Sequence, residues 1–335
     1  MRVLQMIFSR NFRGAERHVA DLANGQAGRH DLLLLLRADH EEDGASIMRA
    51  LDPAVPVRLV RPSLLGWDSW RAARAFRPDV VHSHGGRAGK VAGAWLRRWP
   101  RLATMHLDYR PAWYRRQDAL VAPTGWQAED ARAKGFTGSI HRLDLWVKPA
   151  LPLTPGQVAA LRAELGAGPG TALLGAVGAL IPVKGFDTLV QAFRRLPGDH
   201  LRLALVGQGP QRAELESLAQ GDPRIRFAGF RDDAASLYQA FDLFAFPSRE
   251  EPFGLVALEA LDAGLPVVAT DTKGARATLG PGGLVPPGDV DALTSALAAR
   301  LSQSLTKHRP DLSRWSMERH LVGLDEVYQG LRRSD

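Results

Sequence analysis

The sequence predicts an α/β protein: two doubly wound domains, each on a parallel sheet, facing one another across a cleft. Three observations carry this expectation. Short β-like apolar runs alternate with longer helical patterns along the whole chain, as in a parallel sheet with crossover helices. The rhythm restarts after the segment Lys148-Pro-Ala-Leu-Pro-Leu-Thr-Pro-Gly156, where three prolines interrupt any regular element. The length, 335 residues, suits two domains of ~100–200 residues each.

In the first domain, residues 1–150, strands are expected at Val3–Phe8, Leu32–Leu36, Val57–Val60, Val80–His82, Leu102–Met105 and Ala119–Ala122. Helical spacing is clearest at Ala15–Ala27, Trp67–Phe76, Arg87–Arg98 and Gln127–Lys134. The second domain, 151–312, places strands at Ala172–Val177, Leu201–Val206, Ile225–Ala228, Leu243–Phe246 and Pro266–Ala269. Its helices fall at Pro155–Leu165, Phe186–Arg195, Gln211–Ala219, Gly254–Ala263 and Val290–Leu301. The tail, 313–335, spaces Leu321, Leu324, Val327 and Leu331 as a helix that can cross back to the first domain.

Composition excludes several classes. With 45% hydrophobic and 24% charged residues the chain is expected to be globular rather than disordered. Zero cysteines exclude a disulfide scaffold, a thiolate zinc site and a cysteine nucleophile. No window approaches the ~18 apolar residues of a membrane span. The first apolar run is broken by Arg10 and Arg13, too soon for a secretory signal, so a cytoplasmic location is expected. Charge is uneven: residues 1–150 hold 24 Lys and Arg against 15 Asp and Glu, the remainder 19 against 21. Seven of the eight tryptophans also lie in the first 150 residues. A basic, Trp-rich half is suited to an anionic membrane face or an acidic substrate. A compositional explanation stands beside that one, since 37 of the 43 cations are arginine, as a GC-rich genome gives.

The strongest chemical signal is Ser248-Arg-Glu-Glu-Pro-Phe-Gly-Leu-Val-Ala-Leu-Glu-Ala-Leu-Asp-Ala-Gly264. A strand runs into a loop carrying Glu251, then into an almost wholly apolar helix carrying Glu259. An all-apolar helix is expected to be buried, and a carboxylate within it needs a partner; ligand hydroxyls would serve. Between the two carboxylates, the N–H groups of Phe253, Gly254 and Leu255 form a helix start suited to an anion. The second signal is Val177-Gly-Ala-Leu-Ile-Pro-Val-Lys-Gly-Phe-Asp187, in which Lys184 stands between a strand and a helix and can reach a pyrophosphate as a point charge. The third, Val206-Gly-Gln-Gly-Pro210, lacks the third glycine of a dinucleotide fingerprint and reads as a tight turn.

These segments, in this order, resemble the donor-binding domain of GT-B-fold retaining glycosyltransferases of the family-4 type, whose two domains are Rossmann-like. The Glu251-x7-Glu259 pair, the Gly178-x5-Lys184-Gly185 loop, Phe227-x-Gly-Phe230 and Gly282-Gly-Leu-Val-Pro-Pro-Gly-Asp289 all match. Arg13-Gly-Ala-Glu-Arg-His-Val19, Pro78-Asp-Val-Val-His-Ser-His84 and Thr104-Met-His106 resemble the acceptor domain. The resemblance implies a hexose moved from a UDP- or GDP-linked sugar to an acceptor hydroxyl, in polysaccharide or lipopolysaccharide assembly. It gives Glu251 the sugar hydroxyls, Glu259 the ribose and Lys184 the diphosphate. Backbone of Phe253, Gly254 and Leu255 meets sugar and phosphate, with Gly178 in the lysine loop, while Gly229, Phe230 and Arg231 pass the base. Gly14 lets the first loop approach a substrate, and His106 sits near the transferred sugar. Lys184, Glu251 and His106 are the expected catalytic residues. His84, Arg87, Lys90 and His106 are expected at the acceptor, where Gly85-Gly-Arg-Ala-Gly-Lys90 reads as a cleft-facing helix N-terminus.

No cofactor and no metal are implied, the nucleotide sugar being a co-substrate. His82-x-His84 lacks a third ligand nearby, and Asp289-Val-Asp291 is expected to cap a helix. The expected partners are the donor, an anionic glycan or lipid-linked acceptor, and the inner membrane surface, met through Leu64–Trp70, Trp95–Trp99 and Trp113–Arg116. No nucleic-acid motif is present. The sequence departs from the family pattern where Ala179 replaces an arginine of the lysine loop and Arg13 replaces a glycine; Arg249 and Lys273 are candidate replacement cations. Two other readings keep the same fold: an epimerase or phosphorylase, and a non-catalytic nucleotide-sugar-binding protein.

Overall fold

A computed structural model describes residues 1–332 except 11, 43, 44 and 232. Contacts divide the chain into two compact units, Met1–Trp146 together with Arg314–Asp335, and Val147–Ser313.

The first unit is built on seven strands: β1 (Arg2–Ile7), β2 (Asp31–Arg37), β3 (Val57–Val60), β4 (Val80–His84), β5 (Arg101–Thr104), β6 (Ala119–Ala122) and β7 (Ser139–Arg142). Their order is β3-β2-β1-β4-β5-β6-β7, all parallel. Burial on both faces explains the unbroken leucine run of β2: Leu32, Leu34 and Leu36 enter one core, and Leu33 and Leu35 the other. Helices α1 (Gly14–Gln26), α2 (Leu65–Phe76), α3 (Gly85–Trp95) and α4 (Gly125–Ala133) make the crossovers.

The second unit has five parallel strands, β8 (Ala172–Val177), β9 (Leu201–Val206), β10 (Ile225–Gly229), β11 (Leu243–Phe246) and β12 (Val267–Ala269), ordered β10-β9-β8-β11-β12. Its helices include α5 (Pro155–Glu164), α6 (Phe186–Arg194), α7 (Arg212–Ala219), α8 (Leu255–Asp262), α9 (Lys273–Leu279) and α10 (Val290–Leu301). Asp289 caps α10 through its carboxylate, which accepts from Ala292 N–H at 2.9 Å, as its position before the helix predicts. In each unit the chain winds one way from the first strand and then the other, so a switch point lies between β1 and β4 and between β8 and β11. Loops leaving the carboxyl ends of those strands are where such sheets bind ligands.

Strand β7 and helix α9 are among the elements that the sequence pattern does not predict. Strand β7 escapes pattern reading because it is an edge with mostly half-exposed residues. Helix α9 is short and is capped by Thr272, whose hydroxyl accepts from Ala275 N–H at 3.1 Å.

The last helix, α11 (Met317–Arg332), buries Leu321, Leu324, Val327 and Tyr328 in the first core beside Val3, Val19 and Leu22. It therefore belongs to the first unit although the second unit precedes it in sequence. Truncating Leu324, which is fully buried, to alanine is expected to destabilise the first unit by about 2–5 kcal/mol. Urea unfolding followed by tryptophan fluorescence checks this; an unchanged midpoint would mean that the helix is not integral to that core.

Candidate active site

The two strands flanking the switch point of the second unit deliver the two charged residues of the donor motifs. After β8 the chain passes Gly178 and a single turn, Pro182–Lys184; after β11 it passes Pro247 to Glu251. Lys184 Nζ lies 2.5 Å from Glu251 Oε2, and both side chains are largely shielded. The two loops are laced together by backbone. Arg249 N–H donates to Val183 O at 2.8 Å, and a Cβ on Gly185, which sits at φ +66°, would stand 2.1 Å from Pro247 O. Glycine is required there by both the left-handed backbone and the lack of room.

Arg249, a candidate replacement cation, is paired with a carboxylate. Both of its terminal nitrogens hold Asp187 at 2.7 Å, and they also reach Pro182 O and Thr188 Oγ1. It braces the lysine loop against the carboxylate loop. The bidentate pair holds the Asp187 carboxyl below the usual range despite its burial.

Helix α8 opens at Gly254, at φ +92°, with Phe253 buried beneath. Its first N–H groups have no partner within the helix. The expectation that α8 is wholly buried is corrected: Ala257, Leu258 and Ala260 are buried, but Leu255, Val256 and Glu259 are half-buried. Glu259 accepts a hydrogen bond from the hydroxyl of buried Tyr238 at 2.6 Å. Gly274, in the first turn of α9, donates its N–H to Glu251 O at 2.8 Å and leaves no room for a side chain there. At the end of β10, Gly229 (φ +73°) is half-buried and Phe230 is exposed. Arg231 pairs with Asp233 and Glu164.

In the first unit, five imidazoles gather around the carboxyl ends of β1 and β4. His18 on α1 lies with its ring centroid 5.3 Å from His106 and 5.7 Å from His320 of α11, and His84 lies 4.2 Å from His82. Trp146 packs against both His18 and His320. His82 is held from two sides, by the Tyr328 hydroxyl at 2.7 Å and the Thr104 hydroxyl at 2.8 Å. Tyr328 in turn accepts from Gln26, which accepts from Gln5 in the middle of β1. His106, half-buried after β5, has its Nε2 3.4 Å from His84 Nδ1. Among the described residues, no group of three or more His, Cys, Asp or Glu is arranged to hold a metal ion.

This arrangement can now be set against known proteins. Residues 12–147 match the family model for Glycosyltransferase Family 4, and residues 171–303 that for Glycosyl transferases group 1. A GDP-mannose-dependent alpha-mannosyltransferase of Mycobacterium tuberculosis is 30% identical over 85% of this chain and 76% of its own length. This chain belongs to the family 4, group 1 glycosyltransferases. A lipopolysaccharide core biosynthesis glycosyltransferase of Rhizobium meliloti, LpsE, is 31% identical over 60% of the chain, and the chain spans 58% of that relative's length. Anabaena HepE, solved in complex with UDP, superposes with a TM-score of 0.77 at 22% identity, covering 99% of this chain and 98% of its own. The two parallel units thus have the GT-B fold.

Within this glycosyltransferase the geometry brings Lys184, Glu251, Phe253, Gly254, Leu255 and Glu259 to one end of the second sheet, with Gly178 in the same loop as Lys184. Gly14 is exposed at the start of α1. Arg87 and Lys90 are exposed on the first turns of α3, but His84 is 1% exposed and lies against His106, so it supports His106 rather than meeting a substrate itself. The glycines around them are there for packing: a Cβ on Gly86 or Gly89 would meet Trp113 or its carbonyl within 3 Å. The sequence reading missed Tyr238, the Asp187–Arg249 brace, and His18 and His320. Tyr238 lies outside every quoted motif, and the two histidines come from opposite ends of the chain.

The imidazole cluster makes stability pH-dependent. Burial, reinforced by the neighbouring imidazoles, holds His18, His82 and His84 well below the usual 6.5. It holds His106 and His320 at about 4, although Asp144 opposes the shift at His320. An unfolded histidine protonates near 6.5, so below that pH the unfolded chain binds more protons than the folded one and stability falls as pH falls. The thermal midpoint is expected to be level above about pH 7 and to drop steadily from about pH 6.5 to 4.5. A midpoint unchanged across that range in differential scanning fluorimetry would contradict the buried neutral cluster.

Proposed function

We propose that this chain is a retaining glycosyltransferase that moves a hexose from a UDP- or GDP-linked sugar to a hydroxyl of an anionic glycan or lipid-linked acceptor. The setting is cell-surface polysaccharide or lipopolysaccharide assembly, at the cytoplasmic face of the inner membrane. The observation that carries this reading is the Lys184–Glu251 ion pair beside the opening turn of α8, with Glu259 about one turn further along. A diphosphate, carrying more charge than a carboxylate, competes for Lys184 and releases Glu251 to accept from sugar hydroxyls. As the bond from the anomeric carbon to the leaving phosphate breaks, charge grows on that oxygen, where Lys184 and the helix N–H groups stabilise it. The acceptor oxygen bonds to the anomeric carbon from the same face, and its proton passes to the leaving phosphate oxygen. His106 meets the transferred sugar, and Arg87 and Lys90 attract the anionic acceptor. The GDP-mannose dependence of the mycobacterial relative and the lipopolysaccharide core role of LpsE support this choice of donor and setting.

Transfer from a panel of UDP- and GDP-sugars, run in chelator because the reading needs no metal, tests the proposal. Lys184→Ala is expected to lower kcat/KM for the donor about 10- to 100-fold, the worth of one charge-assisted hydrogen bond. Near-full activity at subsaturating donor would remove Lys184 from its role. Sugar phosphate formed with inorganic phosphate would identify a phosphorylase instead.

The membrane contact falls on α2 and α3. Leu64, Trp67 and Trp95 are among the large hydrophobic residues left exposed, at 39%, 46% and 49%. Trp95 lies over Gly66, Trp67 stacks on Trp70 at 5.1 Å, and Arg71, Arg74, Arg97 and Arg98 are exposed around them. Trp113, expected as a third anchor, instead packs on Gly86. Indole rims beside arginine suit an anionic headgroup layer, at about 1 kcal/mol per basic residue. The chain is expected to co-sediment with phosphatidylglycerol vesicles but not phosphatidylcholine vesicles, in a salt-sensitive way, and Trp67→Ala with Trp95→Ala to abolish it. Binding that ignores lipid charge, or survives both substitutions, would contradict this surface.

A further inference from the structure

We infer that Tyr238 is a positioning residue that sets the carboxylate of Glu259 for the ribose of the donor; this rests on the proposed role of Glu259. Tyr238 belongs to the short turn Tyr238–Ala240, just before β11, and is 1% exposed. Its ring is fixed by Phe244 of β11 and by Phe241, at centroid distances of 5.3 and 6.1 Å. The hydroxyl is therefore held by the sheet, and it donates to Glu259 Oε2 at 2.6 Å. Glu259 itself is half-buried on α8. An ionised carboxylate offers about four acceptor positions. One of them is taken by the tyrosine hydroxyl, and because the ring that carries it is fixed, this bond orients the carboxylate that the proposed ribose contact uses.

The test uses whichever of UDP and GDP raises the thermal midpoint of the chain, and its 2′,3′-dideoxy counterpart, by calorimetry. Tyr238→Phe keeps the packed ring and removes the hydroxyl alone. It is expected to weaken the intact nucleotide about 3- to 10-fold, the worth of a modest hydrogen bond, and to leave the dideoxy nucleotide unchanged. KM for the donor rises while kcat at saturating donor holds. In a Glu259→Ala background the same substitution adds nothing. Glu259→Asp, which draws the carboxylate away from an untouched tyrosine, is the second variant and is expected to behave like Tyr238→Phe.

A Tyr238→Phe variant that binds intact and dideoxy nucleotides equally worse marks a structural role and overturns the inference. So does one that binds like the wild type while Glu259→Ala weakens the intact nucleotide, and there the ribose role of Glu259 survives. If Glu259→Ala leaves the intact nucleotide unaffected, the ribose role fails and the positioning role with it.

Discussion

The backbone of the lysine loop lies directly on the backbone of the carboxylate loop, and the donor half of the site depends on that contact. Gly185 has no space for a side chain against Pro247 O, and Val183 O accepts from the first residues of the following strand's loop. Two loops from neighbouring strands thereby become one rigid edge. Arg249 and Asp187 lock the same seam from the side with a bidentate pair. Side chains that are distant in sequence, Lys184 and Glu251, are held within a hydrogen bond of each other by main-chain geometry rather than by their own attraction. Parting the two side chains would leave that main-chain contact in place.

The first unit solves a different problem with the same topology. Its switch point is filled with imidazoles, and polar groups run through its core from Gln5 and Gln26 to Tyr328, His82 and Thr104. Neutral imidazoles can be buried at a cost that charged groups cannot meet. They give His106 a polar floor without a buried ion. Two members of this network, His320 and Tyr328, arrive on the last helix of the chain. That helix is therefore both a piece of the first hydrophobic core and a structural support for His106, which explains why it packs with a unit it is separated from by the whole of the second sheet.

Much of this was readable from the residues. Strands buried on both faces, such as Leu32–Leu36 and Leu201–Val206, announce themselves as apolar runs, and Gly-rich turns after them mark loops where a ligand can approach. The Glu251–Glu259 spacing, Lys184 and His106 all stand in local patterns that carry their meaning within about a dozen residues. What was missed had weak local signals: β7 is a half-exposed edge, α9 is short and capped by a threonine, and Tyr238 is one aromatic among several near β11.

The sequence by itself determined the two parallel sheets and the order of the motifs along them, because each is set by short-range periodicity and spacing. Only the tertiary structure decided which groups become partners. Arg249 could not be assigned to a brace, Tyr238 to Glu259, or His18 and His320 to one cluster, until the chain brought them together. The physical reason is that a hydrogen bond acts over about 3 Å in space, whatever the separation in sequence, and here it joins residues 21, 62 and 302 positions apart.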